Sequence, residues 1–202
     1  MILASGRGSN FATLADAVSQ GTVPNAEILS LISNRADAGA IELARERGIP
    51  HTVIESRKFR KDGKFARSAY EEVLHQTLED LSPDLICLAG YMLILGETLV
   101  KQWEGKMVNI HPSLLPLFRG LHPQAQALEA GVCFTGCTVH FVTAELDGGP
   151  IIEQDVLRIE PNDTAESLAA RLLPIEHRTY VRALARLTSN SYTLSGNRVI
   201  WK

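Results

Sequence analysis

The chain has 202 residues, 45% of them hydrophobic and 21% charged, with 20 Lys and Arg against 23 Asp and Glu and a formal net charge of −3. That balance excludes a protein held to nucleic acid mainly by phosphate neutralisation, and no apolar run approaches the ~18 residues that span a bilayer. At ~150 residues per domain the length suits one large domain, here residues 1–202, and the lack of a signal-peptide core behind Met1 predicts a cytoplasmic chain.

The periodicity alternates between strand and helix from the start. Met1 to Ala4 reads as a strand that ends in the glycine loop Gly6-Arg7-Gly8-Ser9-Asn10, and Phe11, Leu14, Ala15 and Val18 then recur at helical spacing. Ala26 to Ile32 is a second strand, followed by a helix capped by Asp37, with Ile41 and Ala44 inward and Gly48 and Pro50 at its end. His51 to Ile54 is a third strand. Tyr70, Val73, Leu74, Leu78 and Leu81 form a helical stripe that Pro83 stops. Leu85 to Ala89 is almost wholly apolar, as a central parallel strand covered on both faces should be. A short helix over Leu95 to Trp103 leads to the strand Met107 to His111, then to a helix around Gln124 to Ala130. Cys133 to Val142 and Ile151 to Ile159 follow with no helix between them, which predicts an antiparallel hairpin. Asp163 and Glu166 form a capping-box pattern before a helical stretch that Pro174 should kink or break, and strands near Tyr192 to Leu194 and Arg198 to Trp201 end the chain. The expected fold is α/β, a mostly parallel twisted sheet with helices on both faces and an antiparallel hairpin toward the C-terminal part.

The three cysteines, Cys87, Cys133 and Cys137, make a poor disulfide framework and fit a reducing compartment. Cys133, Cys137 and His140 invite a metal reading, but residues four apart on a strand lie roughly 13 Å from each other, too far for one zinc ion. Buried thiols and no metal are expected.

Three segments depart from bland packing. In the glycine loop, backbone N–H groups at a helix start favour a phosphate. Phe11 stands where a dinucleotide fingerprint needs its third glycine, and no Gly-Lys-Ser/Thr follows, so a phosphate monoester fits better than a dinucleotide or a nucleoside triphosphate. In Asn109-Ile110-His111-Pro112, residues two apart on a strand share a side, so an amide and an imidazole meet one space at the carboxyl edge of the sheet, where open α/β sheets bind ligands. His51, His75 and His177 read as structural. In Leu146-Asp147-Gly148-Gly149-Pro150, Asp147 is either a local turn acceptor or, if it approaches His111, a charge that favours the imidazolium over the neutral ring.

Together these segments resemble the folate-dependent phosphoribosylglycinamide formyltransferases. The resemblance is carried by Ala4 to Asn10 (ASGRGSN), Ser33 to Ala38 (SNRADA), Leu88 to Met92 (LAGYM), Asn109 to Pro116 (NIHPSLLP), Gly120 to His122 with Gln126 to Leu128, and Thr138 to Pro150 (TVHFVTAELDGGP), in family order over nearly the whole chain. It implies a Rossmann-like formyltransferase fold, 10-formyltetrahydrofolate as formyl donor and 5-phosphoribosylglycinamide as acceptor. It implies a catalytic trio at Asn109, His111 and Asp147, acceptor contacts from Gly8, Ser9, Asn10, Phe11 and Glu176, and a folate pocket from Arg67, Met92, Leu93, Ile94, Leu95, Asn109, Thr143, Ala144, Glu145, Leu146 and Asp147. Two residues depart from the pattern: Leu93 stands where relatives commonly have an arginine near the folate glutamate, and Leu173 where a polar residue is common. The first strand also opens a few residues late, which leaves a short strand or a trimmed start.

Competing readings are a methionyl-tRNA formyltransferase, which normally adds a C-terminal domain; a 10-formyltetrahydrofolate hydrolase, which normally adds an N-terminal one; and a non-catalytic phosphate-binding module, which gives Asn109, His111 and Asp147 no role. The partners expected are small-molecule substrates, neither nucleic acid nor membrane, in a monomer or weak homodimer.

Overall fold

In the computed structural model, which describes residues 1–202, the elements run in chain order as β1 (Ile2–Ala4), α1 (Ser9–Ser19), β2 (Leu31–Ser33), α2 (Gly39–Glu46), β3 (His51–Val53), a 3-10 turn at Ser56–Lys58, β4 (Arg60–Lys61), β5 (Lys64–Phe65), α3 (Arg67–Leu81), β6 (Ile86–Leu88), α4 (Glu97–Gln102), β7 (Met107–His111), α5 (Pro123–Glu129), β8 (Phe134–Phe141), β9 (Ile151–Arg158), α6 (Ala165–Ser189), β10 (Tyr192–Ser195) and β11 (Arg198–Trp201). Nine strands form one sheet in the order β10-β11-β9-β8-β7-β6-β1-β2-β3, and β4 and β5 form a separate small hairpin. The pairs among β7, β6, β1, β2 and β3 are parallel, β8 is antiparallel to both β7 and β9, and β11 returns to pair parallel with β9. This is the α/β architecture the sequence pattern predicts.

β1, β2 and β6 are short and wholly buried because apolar layers cover both sheet faces. A core of 24 residues packs Phe11, Leu14 and Ala15 of α1 and Leu172, Tyr180 and Leu184 of α6 against Ile2, Val108, Val139 and Phe141. A second core of 13 residues packs Tyr70, Leu74 and Leu78 of α3 and Leu99 of α4 against Leu3, Ile32, Ile86 and Met107. No helix is long and apolar enough to cross a membrane.

The winding leaves a crevice. From β1 the chain proceeds outward to β2 and β3, then crosses back to β6 on the other side of β1, so the connections leaving the carboxyl ends of β1 and β6 diverge. That divergence is where open α/β sheets bind ligands. Ser5, buried at the end of β1, bridges the gap: its hydroxyl accepts from the Met92 N–H at 2.9 Å, and its own N–H donates to the Gly90 carbonyl at 3.2 Å.

Several local expectations need correction. Ala26 to Ser30 carries no ladder, because the register pairs Leu31 with Ile2 and the earlier residues run past the start of β1. Asp37 does not cap α2; the cap position is Ala38, and Asp37 is drawn instead to Arg35 in a two-bond ion pair. In α3 only Tyr70, Leu74 and Leu78 are buried, while Val73 and Leu81 are exposed, since the contact is one i, i+4 ridge wide. The capping box of α6 is Thr164 with Ser167, shifted one residue from Asp163 and Glu166, and Asp163 accepts from the Ser167 hydroxyl. Pro174 does not break α6: it sits on the exposed side, as does Ala170, whose carbonyl loses its helical partner and turns to solvent. Cys133 is exposed and not a buried thiol; Cys87 and Cys137 are buried, and burial pushes the Cys137 thiol up to about 11.

Candidate active site

The first half of the site is the loop from β1 to α1. Gly8 occupies the cap position at φ 83°, and a Cβ there would lie 2.6 Å from the Ala40 Cα, so a left-handed turn and a close approach to the head of α2 both require glycine. The first helical bond runs from the Ala12 N–H to the Gly8 carbonyl, and no side chain caps the helix, which leaves the N–H groups of Ser9, Asn10 and Phe11 directed at the crevice. Phe11 offers only its amide here, because its ring is fully buried in the core. The Asn10 amide nitrogen donates to Glu176 Oε2 at 3.3 Å, and the Asn10 Oδ1 is buried without a partner.

Glu176 comes from α6, and burial pushes its carboxyl up to about 7 against the opposing pull of the Asn10 bond. Because this raised value exceeds the ordinary 4.5, the group is neutral in folded and unfolded chain alike at acid pH and opposes the fold increasingly as the pH rises from 4.5 to about 7. Glu176→Gln should therefore leave Tm nearly unchanged at about pH 4.5 and raise it at about pH 8, by roughly 4–8 °C for roughly 2 kcal/mol, measured as paired thermal melts. An equal change at both pH values would mean that the carboxyl is not ionising against burial.

The second half is built on the β7–β8 ladder. Asn109 and His111 project to one side from the end of β7, and the antiparallel register sets His140 of β8 directly opposite Asn109. His140 is buried, and burial holds its imidazole below the usual range, hence neutral near pH 7. Its Nδ1 lies 2.9 Å from the Phe141 carbonyl and must donate there, so its Nε2 accepts from the Asn109 amide nitrogen at 3.3 Å. The Asn109 amide is thereby fixed with its donor edge toward the histidines.

His111 is also buried, and its Nε2 donates to the Phe118 carbonyl at 2.9 Å. Its Nδ1 lies 3.4 Å from Asp147 Oδ2, within ion-pair range but without hydrogen-bond alignment. Both ring nitrogens thus face oxygens that can only accept, and the ring serves both when it carries two protons. Asp147 arrives from the β8–β9 connection at φ 49°, its side chain almost wholly buried; Oδ2 accepts from the Gly120 N–H at 2.8 Å and Oδ1 lies 3.8 Å from His140 Nε2. An ion pair between Arg119 and Glu145 joins the same two loops, and Gln126 Nε2 donates to the carbonyls of Arg119 and Leu121.

Asn109, His111 and Asp147 therefore meet, and His140 joins them. Sequence reasoning weighed His140 only as a metal ligand; its signal lay in register, since pairing Asn109 with a neighbouring antiparallel strand puts one β8 residue opposite it. Around this group Met92, Ile94, Leu117, Leu121 and Leu146 expose large apolar surface, whereas Leu93 and Leu95 turn down onto the smaller core. Thr143 and Ala144 form the start of the loop to Asp147, with the Thr143 hydroxyl donating to the Glu145 carbonyl. Arg67 stands exposed at the head of α3. No three His, Cys, Asp or Glu side chains cluster as a metal site. A cavity of about 270 Å³ at the opposite, amino edge of the sheet, among Met1, Leu14, Val18, Leu29, Leu85 and Leu184, carries none of these polar groups.

Comparison with known proteins bears on what the arrangement serves. Residues 1–184 match the family model described as formyl transferase. Over 201 residues, 99% of its length, the chain is 40% identical to the trifunctional purine biosynthetic protein adenosine-3 of Bos taurus, of which it spans about a fifth, 19%. Among solved structures, glycinamide ribonucleotide transformylase 1 from Symbiobacterium toebii superposes with a TM-score of 0.92 at 38% identity, covering 99% of this chain and 92% of that one. A formyltetrahydrofolate deformylase from Pseudomonas syringae pv. tomato superposes with a TM-score of 0.87 at 28% identity, covering 99% of this chain but 64% of that one.

Proposed function

The chain belongs to the formyl transferase family, and from that premise we propose that it transfers the formyl group of 10-formyltetrahydrofolate to the amine of 5-phosphoribosylglycinamide, a step of purine synthesis. The observation that carries this reading is the convergence of Asn109, His111 and Asp147 beside a helix start whose free N–H groups suit a phosphate monoester.

The acceptor phosphate binds the N–H groups of Ser9, Asn10 and Phe11, and its glycinamide end meets the Asn10 Oδ1 and Glu176, two acceptors suited to its N–H groups. The donor lies across the apolar rim of Met92, Ile94 and Leu146. Once both are held, the amine nitrogen forms a bond to the formyl carbon and the carbonyl electrons move onto oxygen. The fixed Asn109 N–H and the His111 Nδ1–H stabilise that oxyanion, an effect worth about 3–4 kcal/mol per donor in other acyl-transfer sites. Collapse re-forms the carbonyl and breaks the bond to the folate nitrogen, which takes a proton from His111 as general acid. The extra proton on the acceptor nitrogen passes to the His111 Nδ1 that has just given up its own, which recharges the ring, and Asp147 stabilises the imidazolium so formed. No covalent enzyme intermediate is needed.

The likeness to the Pseudomonas syringae deformylase supports a second reading, in which water replaces the amine. One experiment separates the two. The protein is mixed with 10-formyltetrahydrofolate with and without phosphoribosylglycinamide, and tetrahydrofolate is followed. Release only with the acceptor supports transfer, release without it supports hydrolysis, and no release with either overturns both.

A further inference from the structure

Between β7 and α5 the chain passes through Phe118-Arg119-Gly120-Leu121-His122, and three of these five residues sit in the left-handed region: Phe118 at φ 56°, Gly120 at 77° and His122 at 57°. Two of the three are not glycine. L side chains rarely adopt that conformation, and it persists where surrounding contacts impose it. The loop is also the shared partner of two catalytic residues, since the Phe118 carbonyl accepts from His111 Nε2 at 2.9 Å and the Gly120 N–H donates to Asp147 Oδ2 at 2.8 Å. Its shape therefore governs how the imidazole and the carboxylate stand to each other.

Apart from those two residues, Gln126 is the only side chain hydrogen-bonded to the backbone of residues 118–122. It lies half-buried on α5, and its Nε2 donates to the Arg119 carbonyl at 3.0 Å and to the Leu121 carbonyl at 2.9 Å. Two carbonyl neighbours fix which end of the amide faces the loop, because only the NH2 group can donate. The Arg119 carbonyl and the Gly120 N–H are opposite ends of one planar peptide group. Gln126 thus grips at its oxygen the same peptide that Asp147 grips at its nitrogen, and each bond polarises the peptide in favour of the other. The other ties are looser or more distant: Arg119 pairs with Glu145 in solvent, and the Ser113 hydroxyl donates to the Leu117 carbonyl at 2.6 Å, before the loop begins.

From this chain of contacts we infer that Gln126 is a positioning residue for formyl transfer: through the peptide between Arg119 and Gly120 it holds Asp147 beside His111. The inference rests on the roles proposed above for His111 and Asp147 and adds the residue that sets their separation. Gln126 makes no bond to Asn109, His111 or Asp147 itself; its donors go to the two carbonyls.

The test is kinetic. Gln126→Met, which keeps the length and removes the donors, should lower kcat by about 30-fold with KM for both substrates changed by less than about twofold, because a displaced catalytic group costs up to about 10²-fold in rate. Gln126→Glu keeps the shape and sets an acceptor before two carbonyls, so it should lose at least as much, whereas a side chain needed only for packing would tolerate it. With Asp147→Asn already in place, Gln126→Met should cost less than about threefold more in single-turnover rate, since both changes break the same path. Thermal melts of both Gln126 variants should stay within about 4 °C of the parent, and a larger fall would mark a structural prop and overturn the role. An unchanged kcat in Gln126→Met and Gln126→Glu, a rise in KM with kcat intact, or the full loss repeated on Asp147→Asn also overturns it and leaves the reaction standing. No turnover by the unmodified protein overturns the reaction and the role together.

Discussion

Replacing His111 by alanine should lower kcat by about a thousandfold, with KM for both substrates changed by less than about threefold. The ring is asked for two services on one reaction coordinate, an oxyanion donor worth about 10²–10³ and a general acid worth about 10²–10⁴. Because both come from the same Nδ1, the losses overlap and do not multiply. The ring is positioned by the Phe118 carbonyl at Nε2 and by Asp147 at 3.4 Å from Nδ1, neither of which is a substrate contact, so binding should survive its removal. The ring is buried, so a thermal melt must accompany the kinetics. A folded variant that turns over at a near-normal rate would remove His111 from the mechanism.

Gly149→Ala should be the most damaging small substitution in the loop that delivers Asp147. A Cβ at Gly149 would sit well inside 3.0 Å of the Phe141 carbonyl oxygen, with the Thr143 methyl 3.0 Å away, so the backbone of β8 or of the loop must move. Overpacking of this kind costs about 3 kcal/mol or more, which for a chain of this size lowers Tm by roughly 6–12 °C. Activity should fall further than stability, since the loop that moves carries Asp147 toward His111 and the chain that resists it carries His140. Gly148→Ala is the matched control: the atoms nearest its Cβ belong to the exposed Glu145 side chain, which can swing aside, and it should melt within about 2 °C of the parent. Similar behaviour of the two variants would show that the close approach at Gly149 is not what fixes the loop.

The architecture was legible where burial on both faces wrote itself as an apolar run. The bounds of β7 and the β8–β9 hairpin follow the sequence pattern, and the diverging connections at β1 and β6 follow from strand-helix alternation. Local chemistry was less legible, because it is decided by competition. Asp37 was free to cap α2 but found Arg35, and two candidate capping boxes overlapped at the head of α6, where Thr164 had the better reach. Val73 lay on the predicted stripe, yet α3 meets the core along too narrow a ridge to bury it. In the site, Asn109 and His111 were visible because a two-residue period on a strand is local information. His140 was not, since its partner lies 31 residues away and only the register joins them. Ser5 escaped for the same reason, its partner at Met92 being 87 residues distant. The hairpin at residues 60–65 was missed because its strands are two residues long and too charged to show alternation.

The antiparallel β7–β8 ladder also sets where this chain can tolerate changes of length. Asn109, His111 and His140 face one space only because side-chain direction alternates in step on the two strands. One residue added within Met107–His111 or Thr138–Phe141 would turn the groups beyond it to the far side of the sheet. The β8–β9 register already carries one irregularity, at Val139 and His140, on the edge away from β7. Insertions of odd length are therefore confined to the connections, as in the Gly131–Cys133 turn, and a library of single-residue insertions should retain function there and lose it along the ladder.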